Sequence, residues 1–258
     1  MPPTGFNARL AGVRVAGVRV VTFAERPDLA VRTGEVPEAF PEYMGHGQAL
    51  VAHWWKLRDQ LPELQLVVWD EERDAVVGYG CTIPARESDG LPGGVDDLVE
   101  RWFGDGSQPD PDVLSALVAV IDHRRRGEGL SGLLIKAMCD LAARRGFTSL
   151  IAPVRPTWKE RYPLIAMEDY AHWARADGLP FDPWIRLHTR LGAELLEVCP
   201  ASMTIEGTRE AWERWAGMPF PADGRYVVPG ALVPVEVSGE RGVYVEPNVW
   251  MRHSAVPA

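Results

Sequence analysis

The chain has 258 residues, enough to bury a full core as one large domain, with or without an elaboration. Its 46% apolar and 24% charged content is that of a soluble globular protein, and 27 basic against 36 acidic residues leave a formal charge of −9. That charge argues against general binding to nucleic-acid backbones, whose affinity rests on cationic contacts to phosphate, and suits action on small molecules. Cys81, Cys139 and Cys199 are far apart with no CxxC spacing, so they fit a reducing compartment and give no zinc signature. No apolar run is long enough to cross a bilayer, and the N-terminus carries no signal-peptide pattern, so a cytoplasmic location is expected.

In chain order, the valine alternation of "AGVRVAGVRVVTF" predicts a strand over residues 13–23. Residues 35–64 have helical spacing and stop near Pro62. "LQLVVWDEERDAVVGYGCTI" places two β-rich runs around the polar "DEERD", an antiparallel hairpin, and a short acidic helix follows over Val95–Phe103. "DVLSALVAVIDH" is a strongly apolar strand. "SGLLIKAMCDLAARRGF" is an amphipathic helix over residues 130–145 with Gly146 as its C-terminal cap, and "TSLIAPVRP" is a second buried strand. Strand, turn, helix and strand together have the length of a βαβ crossover. "WKERYPLIAMEDYAHWARADG" reads as helical, and a second helix ends in "WIRLHTRLGAE". In the last quarter, "RYVVPGALVPVEV" and "GVYVEPNVWMRH" read as strands joined by "SGERG", after the helix "TREAWERWAG". Residues 221–224 are the loosest joint, and one domain over residues 1–258 is expected, with a core of about 13–200 and an elaboration of about 201–258.

The stretch "DHRRRGEGLSG" sits where the apolar strand meets the helix. A helix N-terminus leaves backbone N–H groups unpartnered and carries partial positive charge, and glycines let a phosphate approach with no Cβ in the way. Gly127 and Gly129 meet that need. Arg124, Arg125 and Arg126 are expected to add charge, and Ser131 offers a hydroxyl. The physical reading is a pyrophosphate site. A Walker A loop is absent. GEGLSG matches a dinucleotide fingerprint formally, but no acidic residue ends a second parallel strand about twenty positions on, where the chain reads "IAPVRP".

A strand followed by R-x-x-G-x-G and an amphipathic helix resembles motif A of the GCN5-related N-acetyltransferases, with Arg124, Gly127 and Gly129 in the three signature positions. A second match is "HTRLGAE": His188 stands where many members carry a tyrosine, Leu191 and Gly192 match, and Ala193 replaces an aromatic. The family's common proline near the strand's end is Ile121 here. The resemblance spans residues 66–198. It implies a mixed α/β (α+β) fold with a mainly antiparallel central sheet flanked by helices, and a strand-rich C-terminal extension. It also implies acetyl-coenzyme A as acyl donor, with its pyrophosphate on the amides of Arg125, Arg126, Gly127, Glu128, Gly129 and Leu130. Leu117, Val118 and Ala119 would pair with pantetheine.

Direct acyl transfer to an amine needs a positioned thioester, a neutral amine and a proton for the leaving thiolate. His188 is the candidate proton donor, since imidazole titrates near neutrality. Asp122, or the Glu168–Asp169 pair, is the candidate base. Glu168 and His172 lie four apart on one helix face but lack a third metal ligand, so no metal is expected. Cys81 reads as a small core filler, and the ten tryptophans as core or as the wall of an acceptor pocket. The expected reaction is transfer of acetyl to a small-molecule amine, without membrane or nucleic acid. Other donors on the same fold are longer acyl-coenzyme A, a carrier-protein thioester or aminoacyl-tRNA, and a non-catalytic binding module is a further alternative. The C-terminal strands are expected to shape the acceptor site or form a homodimer interface.

Overall fold

The computed structural model describes residues 17–37, 40–88, 90–104 and 110–254. The predicted first strand is β1 (Val18–Thr22), and positions 13–16 of that expectation lie outside the described residues. The short α1 (Pro27–Ala30) and two 3-10 turns lead to α2 (Gln48–Gln60), which ends just before Pro62, where the missing N–H forbids continuation. The hairpin is β2 (Leu66–Asp70) and β3 (Ala75–Ala85), with Asp74 taking a positive φ of 46° in the turn. After α3 (Val95–Phe103) come β4 (Val113–Ile121), α4 (Leu130–Arg144) and β5 (Ser149–Val154), the expected crossover. Among the described residues, β4 and β5 are the one parallel pair and the other strand pairs are antiparallel.

Helix α4 shows why this register is stable. Leu130, Leu133, Leu134, Ala137, Met138 and Leu141 recur at the i, i+3, i+4, i+7 spacing and bury against Val18, Leu66, Val68 and Leu114. Each such leucine contributes roughly 1.5–3 kcal/mol of burial. The helix ends in a Schellman cap: Gly146 at φ 81° donates to the Ala143 carbonyl, and Phe147 donates to that of Ala142.

Two expectations are corrected downstream. The segment after β5 is a 3-10 turn at Lys159–Arg161 and a brief α5 (Met167–Ala171), because Pro163 interrupts the helical pattern. Trp158, Tyr162, Tyr170, Trp173 and Phe181 pack there edge to face. "RYVVPGALVPVEV" forms only β7 (Gly224–Tyr226) and β8 (Val235–Ser238), since Pro229 and Pro234 cannot donate to a ladder. Between them in sequence and the crossover lie α6 (Pro183–Arg190), β6 (Glu194–Thr208) and α7 (Arg209–Ala216), and the chain closes on β9 (Arg241–Ser254). The sheet runs β1-β2-β3-β4-β5-β9-β8-β7, with β6 on the other edge of β9. Trp212 and Trp250 are core residues, 0% and 1% exposed.

Candidate active site

β4 pairs with β3 along nearly its whole length, from Gly78↔Ile121 to Ala85↔Val113. It pairs with β5 only at Leu114↔Leu150 and Ser115↔Ile151. Beyond Ser115 the two parallel strands diverge, and residues 116–119 of β4 are half-buried along an edge with no strand partner among the described residues. The register slips between Cys81 and Thr82, leaving Leu117 as an extra residue on β4, a bulge that bends the strand at the opening. Leu117, Val118 and Ala119 therefore present main-chain groups to a slot between two strands.

At the end of β4, Asp122 caps the 3-10 turn His123–Arg125. Its buried carboxylate accepts from the Arg124 amide at 2.9 Å and from Arg124 Nη2 at 2.6 Å. These bonds hold its pKa down to about 2 against the effect of burial. Arg125 Nε donates to Glu128 Oε1 at 2.7 Å, and Arg125 Nη1 to Asp70 Oδ2 at 2.9 Å. Burial raises the Asp70 pKa, but Arg125 and Arg73 outweigh it and hold the carboxyl at about 2. The charge expected of the three arginines is thus partly offset: two are matched by carboxylates, and of the three Arg126, which is exposed, makes no ion pair among the described residues.

The amide run is also shorter than expected. The N–H groups of Arg125 and Arg126 are used inside the turn, donating to the carbonyls of Asp122 and His123. The amides of residues 127–132 donate to no acceptor among the described residues, and the first helical bond runs from Leu133 to Gly129. Gly127 and Gly129 have φ of 86° and 77°, and a Cβ on either would project into open space. The result is a row of donors at the positive end of α4, following the end of β4.

The three residues expected to move protons are not brought together. His188, on α6, is 4% exposed, and its Nδ1 lies 2.9 Å from Nε2 of His253 on β9. Burial, then the neighbouring imidazole, pushes the His188 pKa down to about 3, so it is neutral at pH 7 and supplies no imidazolium proton. Asp122 is locked to Arg124 as an ionised cap. Glu168 is exposed in the first turn of α5, on the wall of a concavity of about 380 Å³ lined also by Arg225, Glu236 and Val245. His172 Nδ1 meets the Glu168 main-chain carbonyl at 2.7 Å, not its carboxylate, and the described residues contain no cluster of three metal-ligating side chains. Burial pushes the Cys81 thiol up to about 12, which makes it inert.

Sequence reasoning missed a buried polar cluster at the exit of β5. Arg155 Nε lies 3.1 and 3.0 Å from the two Glu246 oxygens, and its Nη2 donates to the Gly230 carbonyl at 2.6 Å. Tyr244 donates to Glu246 at 3.0 Å and accepts from the Leu232 amide. The hydroxyl of Tyr43 is buried beside them, facing Arg155 and Glu246. Lys159, 0% exposed, donates to the carbonyls of Tyr162 and Leu232, and burial lowers its pKa to about 8. One signal was available: Glu246 and Asn248 share the inward parity of Tyr244 and Trp250, so two polar groups fall on a buried face.

No protein-family model matches the chain. It is similar to the arginine N-acetyltransferase avaD of Aspergillus versicolor, at 29% identity over 96% of this chain and 98% of the relative. Among solved structures, the loading GNATL domain of CurA from Lyngbya majuscula superposes with a TM-score of 0.58 at 15% identity, covering 92% of this chain and 96% of that one. GphF, a GNAT-like decarboxylase in complex with isobutyryl-CoA, gives 0.54 at 17% identity, covering 93% and 99%.

Proposed function

We propose that this chain, which carries the GCN5-related N-acetyltransferase fold, transfers an acetyl group from acetyl-coenzyme A directly to the amine of a small molecule. One observation carries the reading: a row of unpartnered amides at residues 127–132 meets the divergence of β4 and β5. Diphosphate is the ligand such a row of donors fits, and the slot is the place for an extended chain attached to it. The full-length likeness to an arginine N-acetyltransferase supports an amine as acceptor.

In this reading Gly127, Glu128, Gly129, Leu130 and Ser131 receive the diphosphate through their main chain, with Arg126, unpaired among the described residues, adding a cation. The open edge at Leu117, Val118 and Ala119 pairs with the pantetheine amides. Coenzyme A supplies the activated thioester. The protein's part is positioning: holding donor and acceptor in one slot replaces a bimolecular encounter with an oriented one. His188, sealed and neutral, orients α6 against β9, and Asp122 keeps the loop in shape. The negative chain charge and three unpaired thiols agree with a small-molecule role in the cytoplasm, and no described helix is long and apolar enough to cross a membrane.

The test is free-thiol release from acetyl-coenzyme A against a panel of amines that includes arginine, with longer acyl thioesters beside it. Amine-dependent thiol release is the expected result. Carbon dioxide release from a carboxylated acyl thioester such as malonyl-coenzyme A, with no amine-dependent thiol, would overturn it; GphF is named a decarboxylase.

A further inference from the structure

The loop expected to hold a diphosphate already holds an anion. Glu128, between the two positive-φ glycines, turns its carboxylate onto Arg125: Oε1 lies 2.7 Å and Oε2 2.9 Å from Nε, and Oε2 lies 2.7 Å from Nη2. This is the side-on, two-oxygen geometry with which a guanidinium also takes a phosphate. The opposite side of the same guanidinium is fixed by Asp70, which is 2% exposed and shared with Arg73. Arg125 is 18% exposed and Glu128 42%, so the arginine is anchored from within, while the glutamate can swing into water.

We infer that Glu128 is a resident competitor of the diphosphate for Arg125, a specificity-setting residue of the cradle that must be displaced when the coenzyme binds. The inference rests on the coenzyme reading above. Its physical logic is one of exchange. Arg125 gives up one bidentate anion for another, so the net gain on binding is smaller than a free arginine would give. Donor and product carry the same diphosphate. Tight uniform binding of that group would hold the spent coenzyme as firmly as the loaded one. A resident carboxylate trims this common term and leaves thioester contacts in the slot to tell donor from product.

The test is the affinity of the intact protein for coenzyme A and, separately, for inorganic pyrophosphate, by titration calorimetry on the parent, Glu128→Gln and Glu128→Asp, with melting temperatures as the check on folding. Glu128→Gln is expected to tighten both ligands roughly fivefold, the effect of one unit charge a few ångströms away in a partly solvated site. Glu128→Asp keeps the charge but shortens the reach to Arg125, and it is expected to tighten both at least twofold. If Glu128→Gln binds no tighter than the parent, or Glu128→Asp is indistinguishable from the parent, the competitor role is overturned and the coenzyme reading stands. If none of the three proteins binds coenzyme A, the coenzyme reading falls and takes the inference with it.

Discussion

At the scale of single residues, the cradle depends on two backbone conformations that a side chain resists. Gly127 and Gly129 sit at φ of 86° and 77°, with nothing near the place of a Cβ, so a substitution there strains the backbone without a clash. Gly129→Val is expected to cost about 1–2 kcal/mol in urea unfolding while weakening coenzyme A more than tenfold by calorimetry. A change in stability without loss of binding would place the diphosphate elsewhere. The left-handed turn at the two glycines was legible in the sequence because it is local: spacing and a following apolar helix declare it. The arginines beside them were not. Arg125 is neutralised in part by Asp70, fifty-five positions away, and only tertiary structure brings that carboxylate to the loop. The same holds for His188, whose partner His253 lies sixty-five positions on and turns a candidate acid into a buried neutral ring.

Among the elements, the slot is held open from both sides. β5 leaves β4 after two register pairs, while its other edge stays paired with β9 throughout, from Ser149↔Ser254 to Val154↔Val249. Arg155 then pins the end of β5 to β9 through Glu246. Arg155→Met leaves the Glu246 carboxylate buried and unpaired, and is expected to destabilise by about 3–5 kcal/mol; adding Glu246→Gln should return part of that loss, read as coupling in a double-mutant cycle. A second brace is the approach of α3 to the irregular stretch of β6. At Gly94 a Cβ would lie 2.2 Å from Ser202 Cα, and its φ is 131°. Gly94→Ala is expected to cost about 2 kcal/mol or more, whereas Ala at exposed Gly45, where space is open, should cost much less. Periodicity revealed the hairpin, the crossover and α4, each a local pattern. It did not reveal β6 with its register slips, and although it marked residues 242–253 as a strand, it could not place β9 between β5 and β6, because pairing between strands far apart in sequence leaves no local pattern. α5 was overstated for a related reason: apolar spacing continues through Pro163, and the backbone cannot.

For the whole molecule, the buried charges and rings set how stability follows pH. His188 is depressed from 6.5 to about 3, and burial lowers His253 as well. A group whose folded pKa lies below its unfolded value binds more protons when unfolded. The stability it protects is complete above pH 6.5 and drains away as the pH falls toward 3. Asp70 and Asp122, held at about 2, add a second loss at lower pH, between about 4 and 2, as their ion pairs are protonated. Two acid limbs are therefore expected, histidine first and carboxylate second. Between pH 7 and pH 5, His188 by itself should remove roughly 2 kcal/mol in urea unfolding. His188→Gln should flatten that limb, at some cost to stability at pH 7, and leave the carboxylate limb in place. A parent whose stability does not change between pH 7 and 5 would mean that the two imidazoles reach water, and His188 would then return as a candidate acid.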